Sequence, residues 1–184
     1  MNARHKRIQQ TAILYNQLIN FFWTILAFAP VVYFCYQYLP LRLLYIFSGI
    51  SCLVIFLPTS LLNKIQLSQS SNAYTKIGIR FIKKYTQNGD LVNRFIKSQH
   101  PQYKYADNKQ AIKKLIGKSY MQEKFHYVVF VFFMCIMVYA IMRGLVGWVV
   151  FIGVANIIYN LYPIFLQQYN RIRINYLLQR QADL

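Results

Sequence analysis

Acidic residues are what this sequence has least of. Its 184 residues include four carboxylates, Asp90, Asp107, Glu123 and Asp183, against 21 lysines and arginines, a formal net charge of +17. A soluble domain mixes charges of both signs over its surface, and this chain does not have the acid to do so. With a single glutamate, a two-metal carboxylate bundle site is excluded by counting, since such sites need several acidic ligands and two Glu-x-x-His motifs. Cysteine is scarce as well. Cys35, Cys52 and Cys135 each fall inside an apolar run with no paired spacing, and so read as small apolar fillers without a disulfide or metal role. No serine or cysteine stands in a nucleophile setting. No nucleic-acid motif accompanies the basic charge, and no internal repeat or ionisable relay points to a transporter or channel.

What is present is apolar, 57% of the residues, gathered into blocks with the basic residues between them. Four runs approach the roughly 20 residues that cross a bilayer core: Leu18–Tyr38, Leu43–Leu62, Tyr127–Met142 and Val146–Gln167. None carries a charge in its central part, where one costs a few kcal/mol or more. The pattern predicts an all-α, polytopic membrane protein, four transmembrane helices in two antiparallel hairpins with amphipathic cytoplasmic helices between them. The expected divisions are a lead-in over 1–17, a first hairpin over 18–62, a basic segment over 63–124, a second hairpin over 125–167 and a tail over 168–184. Ala27-Phe28-Ala29 resembles a signal-peptidase site, but Pro30 follows it and the apolar run continues, which predicts an uncleaved first helix.

Charge placement predicts orientation. Nineteen basic residues lie before, between and after the hairpins, and only Arg42 and Arg143 lie in the short turns. The positive-inside rule then puts both termini and the central segment in the cytoplasm. The central segment reads as basic amphipathic helices. Ile77, Phe81 and Ile82 share one face, Asn88-Gly89-Asp90 marks a turn, and His100-Pro101 a break. Asp107 is an expected N-cap, with Gln110 three residues on and Ala111, Ile112, Leu115 and Ile116 as the stripe. Such helices lie on anionic lipid without further function.

Chemistry concentrates at one end of the second hairpin. Glu123 and His126 form an E-x-x-H pair where the third run begins. Arg143-Gly144-Leu145 is too short for anything but an antiparallel return, so this pair must lie level with the polar cluster that ends the fourth run. That cluster is Gln167, Gln168, Tyr169, Asn170, Arg171 and Arg173, preceded by Asn160, Tyr162 and Pro163. Two readings stand. In one, the Glu–His pair is merely interfacial and solvated. In the other it does acid–base work, His126 taking a proton from an acceptor hydroxyl and Glu123 orienting the ring. Asn160, Tyr162, Gln168, Tyr169, Asn170, Arg171 and Arg173 are then the candidate substrate-binding residues, holding an anionic donor or a developing oxyanion. Glu123 and His126 are too few for a metal site, and none is expected.

E-x-x-H before the third run, N-x-x-P at Asn160–Pro163, QQYNRIRI after the fourth and KIGIRFIKKYTQNGD in the basic segment together resemble the glycosyl-4,4'-diaponeurosporenoate acyltransferase family, over about residues 73–176. The resemblance implies a membrane O-acyltransferase that moves a fatty acyl group to a hydroxyl of a glycosylated lipid or carotenoid at the cytoplasmic leaflet. It implies no bound cofactor, with acyl-coenzyme A as a candidate donor drawn in by the lysine and arginine excess. The expected partners are the bilayer and the lipid-like acceptor, with no nucleic acid. The alternative is a non-enzymatic four-helix subunit, or a lipid-binding partner of a larger complex.

Overall fold

The computed structural model describes residues 3–86, 89–99, 101 and 109–180. Every regular element among them is helical. In chain order these are α1 (Ala3–Tyr38), α2 (Leu41–Cys52), α3 (Thr59–Lys64), α4 (Ser71–Lys76), α5 (Ile79–Lys83), α6 (Asp90–Gln99), α7 (Lys109–Met142), α8 (Val146–Asn156) and α9 (Tyr162–Arg180). A short 3-10 turn, Leu53–Phe56, extends α2, and a π turn, Ile157–Leu161, joins α8 to α9. The expected cap at Asp107, the break at His100 and the turn residue Asn88 lie outside the described residues.

Among the described residues three stretches, not four, are long and apolar enough to cross a bilayer: Gln10–Tyr38, Lys114–Met142 and Val146–Tyr176. The expected second span, Leu43–Leu62, is not one helix. The apolar helix there runs only from Leu41 to Phe56, about 24 Å at 1.5 Å per residue, short of the roughly 30 Å of a hydrocarbon core. The cause is Pro58. Its ring crowds the residue before it out of the helical region, and Leu57 is accordingly extended at φ −61° and ψ 127°. The break leaves carbonyls without helical donors, and the ammonium of Lys124 on α7 donates to one of them, Ile55 O, at 3.0 Å. Beyond the break, Tyr120 Oη donates to Asn63 Oδ1 at 2.7 Å. At the far end, Tyr139 Oη donates to Tyr38 O at 2.8 Å. The chain from Tyr38 to Asn63 thus runs the length of α7 from Tyr139 back to Tyr120, as a broken element.

The expected helix from Asp107 and the third span are parts of one 34-residue helix, α7. It turns into α8 through Gly144, at φ +67°. Leu145 N–H reaches Ala140 O and Gly144 N–H reaches Ile141 O, the paired bonds of a Schellman C-cap, which needs a residue that tolerates the left-handed region. The core between the long helices is aliphatic and aromatic. Ala27, Val31 and Phe34 of α1 meet Phe133, Ile136 and Ala140 of α7 and Ile152 of α8. Phe34, Tyr38 and Trp148 cluster at the Gly144 end, where an aromatic belt suits a membrane boundary. Outward faces stay apolar, with Phe22, Ile25, Val32, Val138, Val150 and Val154 exposed, as lipid contact requires.

The lower half of α1 leans away from α7 and onto the basic segment. Ala12, Tyr15 and Ile19 pack on Val92 and Ile96 of α6. Tyr15 meets Phe95 edge-on at 4.6 Å, and Trp23 Nε1 donates to Tyr85 O at 3.0 Å. The α5–α6 connection depends on Gly89, where a Cβ would collide with the carbonyls of Lys83 and Thr86. On the other side of the bundle, Tyr74 and Ile79 of α4 and α5 pack against Leu166 and Tyr169 of α9.

Candidate functional site

At the end of the bundle away from Gly144, α7 and α9 face each other across two polar groupings. One is sealed. Ser119 and Glu123 lie one turn apart on α7, opposite Gln168 and Arg171 on α9, and all four are buried. Glu123 Oε2 forms an ion pair with Arg171 Nη1 at 2.5 Å. Gln168 Nε2 donates to Glu123 Oε1 at 2.7 Å. Arg171 Nη1 also reaches Ser119 Oγ at 3.4 Å, and Ser119 Oγ donates to Gln167 O at 3.0 Å. The guanidinium lies over the Tyr120 ring, 4.1 Å from its centroid, and the ring face stabilises the cation further. Arg171 Nη2 has no acceptor among the described residues.

Gln168 carries this grouping outward. Its Oε1 accepts from Leu67 N–H at 3.2 Å and from Tyr74 Oη at 3.0 Å. Tyr74 Oη in turn accepts from Ser68 N–H at 3.2 Å, and its one proton is shared between Gln168 Oε1 and Ser68 O. Burial pushes the Tyr74 phenol above its ordinary value, so it remains a donor wherever the protein works. One glutamine therefore ties the connection between α3 and α4 to a buried ion pair on α7 and α9. The arrangement is that of a clasp. Each charge has a partner, and breaking one would strand the other in an apolar interior.

The other grouping is buried except at one side chain, with Asn160 0%, Asn156 2% and Tyr159 7% exposed. His126, one turn above Glu123, is partly exposed. Its Nδ1 faces Asn160 Oδ1 at 3.5 Å. Asn160 Nδ2 donates to Asn156 Oδ1 at 2.8 Å, and Asn156 Nδ2 donates to Phe130 O at 3.2 Å. Because the backbone carbonyl of Phe130 can only accept, it sets the orientation of Asn156, which sets that of Asn160, which offers an acceptor to the ring. Nδ1 then carries the proton and Nε2 the lone pair.

The π turn supports this relay. Tyr162 N–H reaches back five residues to Ile157 O, and Pro163 has no N–H to return to Tyr159. The Tyr159 ring packs edge-on against His126 at 5.7 Å, and its hydroxyl meets Thr24 Oγ1 of α1 at 2.9 Å. π turns inside helices are often found at functional sites.

The structure thus brings Glu123 together with Gln168 and Arg171, and His126 together with Asn160. No hydrogen bond or ion pair joins Glu123 to His126 among the described residues; the amide of Asn160, rather than the carboxylate, orients the ring. Tyr162 and Tyr169 turn toward Tyr74 and Ile79. Arg173 points outward, its guanidinium against the Tyr169 ring and hydroxyl. Asn170 is partly exposed beside them. Ser119 carries a sequence signal, since it shares a helical face with Glu123 and His126 at i, i+4 and i+7. Asn156 carries one in its four-residue spacing from Asn160. Tyr74 and Thr24 carry none, being 94 and 135 residues from their partners Gln168 and Tyr159. Among the described residues no three His, Cys, Asp or Glu side chains gather into a metal-holding group.

One protein-family model, described as Glycosyl-4,4'-diaponeurosporenoate acyltransferase, matches residues 58–180. The match contains both groupings and leaves α1 and α2 outside it. It is wider than the 73–176 over which the motifs show a resemblance. No curated protein and no solved structure gives a significant match.

Proposed function

Because this chain belongs to the glycosyl-4,4'-diaponeurosporenoate acyltransferase family, we propose that it transfers a fatty acyl group to a hydroxyl of a glycosylated lipid or carotenoid at the cytoplasmic membrane surface, with His126 as general base. The observation that carries the role of His126 is its setting: a partly exposed imidazole in an apolar bundle, with Nδ1 held to Asn160.

In this reading Nε2 takes the proton of a sugar hydroxyl as that oxygen attacks the acyl carbonyl. The new C–O bond forms, the bond to the leaving group breaks, and His126 returns the proton to the leaving group. With an acyl-coenzyme A donor the leaving group is the thiolate. Asn160 Oδ1 stabilises the imidazolium while it lasts. Direct transfer fits a histidine with no serine or cysteine hydrogen-bonded to it among the described residues. Glu123 acts at one remove, holding Arg171 and Gln168 and through them the pitch of α9. Arg173 and the lysines of the basic segment supply the positive field that would gather a phosphate-bearing donor. Charge placement supports the cytoplasmic side, with both termini there.

Mass spectrometry of lipids and pigments from cells with and without the protein tests this. The expected result is one glycosylated species heavier by a fatty acyl group only when the protein is present. Identical extracts would overturn the reading.

A further inference from the structure

The contact between His126 Nδ1 and Asn160 Oδ1 is 3.5 Å long, at the outer edge of what a hydrogen bond allows. A bond that long selects the tautomer and holds the ring weakly. Rotation of an imidazole about its Cβ–Cγ bond is otherwise broad, so its aim depends on what packs against it. Two aromatic rings do. Phe125 meets it edge-on at 5.3 Å, but that ring is 52% exposed and little of the bundle holds it. Tyr159 meets it edge-on at 5.7 Å and belongs to the apolar core of the long helices. The Tyr159 ring is in turn fixed from α1. Phe28 packs edge-on against it at 5.4 Å, and Thr24 Oγ1 shares a 2.9 Å hydrogen bond with its hydroxyl. Thr24 and Phe28 stand one turn apart on α1 and so present together. Below Thr24 the helix parts from the bundle, with Tyr15 and Ile19 packing on α6 instead.

We propose that Thr24 is a positioning residue for His126, acting through Tyr159. Its hydroxyl pins the phenol, the phenol ring walls off one side of the imidazole, and Nε2 stays aimed at the acceptor. The inference rests on the acyl-transfer reading and adds to it a residue from outside the matched segment, which begins at residue 58. Three elements carry the contact, α1 through Thr24, the π turn through Tyr159 and α7 through His126. The work is divided: Asn160 decides which nitrogen carries the proton, and Tyr159, tied by Thr24, decides where the ring points. The low dielectric around Tyr159 makes the bond at its tip stronger than it would be in water. Thr24 takes no proton and touches no substrate. Removing its hydroxyl leaves the base and its tautomer in place and loosens only the aim.

The test has two readouts. One is the His126 ring shifts of full-length, histidine-labelled protein in nanodiscs, and the other is ester formed in cells per folded molecule, by mass spectrometry. In the parent, the ring current of the edge-on tyrosine should displace the signals of the facing imidazole protons. Thr24→Val keeps the shape and drops the hydroxyl. It should abolish that displacement and cut ester formation about tenfold, less than the loss that a 1 Å error in reacting geometry can cause. Thr24→Ser, which keeps the hydroxyl, should restore both. Tyr159→Phe should match Thr24→Val, and the two together should cost no more than either alone, because both delete one bond. That double variant strands no hydroxyl, so it reads the coupling even where a single variant folds poorly. Unmoved His126 shifts or parental turnover in Thr24→Val, losses that multiply in the double variant, or no rescue by serine would each overturn the proposal. Shifts that behave as expected in a protein that forms no ester would refute the acyl-transfer reading and leave the coupling of Thr24 to His126 standing.

Discussion

Glu123 and His126 stand three residues apart on one helix and live in opposite surroundings. Glu123 has no exposed surface, and an arginine and a glutamine take its oxygens. His126 keeps some exposure and is held by an amide at Nδ1. The comparison separates two uses of polar residues inside an apolar bundle. A charge that is fully enclosed with its partner fixes where two helices meet, and it has no capacity left for a substrate. An imidazole with one nitrogen anchored and the other bearing a lone pair retains chemistry. The E-x-x-H spacing puts both on one side of α7 but does not make them a dyad.

The sharpest way to break this comparison is to remove the imidazole. His126→Ala should lower ester formation per folded molecule by about 10²–10⁴-fold, the usual worth of a positioned general base. Its stability should fall by about 1–3 kcal/mol, because Asn160 Oδ1 loses its donor in the interior, too little to unfold the bundle. Turnover equal to that of the parent would remove His126 from the mechanism.

Glu123→Ala should do the reverse. Arg171, 3% exposed, would be left without its carboxylate, which costs about 3–5 kcal/mol. The folded fraction should collapse, while any molecules that do fold retain turnover. Adding Arg171→Met should recover much of the loss, because an apolar pair avoids the stranded charge. A double variant no more stable than Glu123→Ala would show that the clasp is not what holds α7 to α9.

Asn160→Leu sits between the two. It strands Asn156 Oδ1 in the interior, for about 1–3 kcal/mol, and removes the acceptor at His126 Nδ1. Nitrogen chemical shifts of the ring should report a fixed Nδ1–H form in the parent and a mixture of tautomers in the variant. A parent already mixed would sink the relay from Phe130.

Much of this architecture is readable from the residues, and the exceptions have identifiable causes. The hairpin of α7 and α8 follows from hydropathy and from Gly144, and it alone forces Glu123 level with the end of α9. The failed second span was also written in the chain, at Pro58. A hydropathy sum ignores the missing N–H and the crowding of Leu57, and so counts 43–62 as one helix. The polar run Gln167–Arg173 does not reveal which way each side chain points. On a helix that continues to Arg180, Gln168 and Arg171 share one face while Tyr169 and Arg173 share another. The π turn before it sets the rotation of both. Tyr74 is the least legible, because nothing local marks a tyrosine that closes on a glutamine 94 residues away.

That tyrosine supplies the smallest and most discriminating perturbation. Tyr74→Phe keeps the ring against Phe165 and Tyr169 and deletes only the hydroxyl. Gln168 Oε1 retains Leu67 N–H, Ser68 N–H loses its acceptor, and Ser68 O keeps the Gln66 Nε2 donor. The cost should be about 0.5–1.5 kcal/mol, the net worth of such a bond, and hydrogen exchange should speed up at residues 67 and 68. The pH dependence has a definite sign. The folded-state value of this phenol lies above its ordinary 10.0, mainly through burial. Its stabilising contribution is therefore complete below about pH 10 and is lost as pH rises through the raised value. The stability gap between parent and Tyr74→Phe should close on the alkaline side and stay constant at neutral pH. A gap that closed near neutrality would mean that the clasp is open to water, and the contrast between a sealed Glu123 and an open His126 would fail with it.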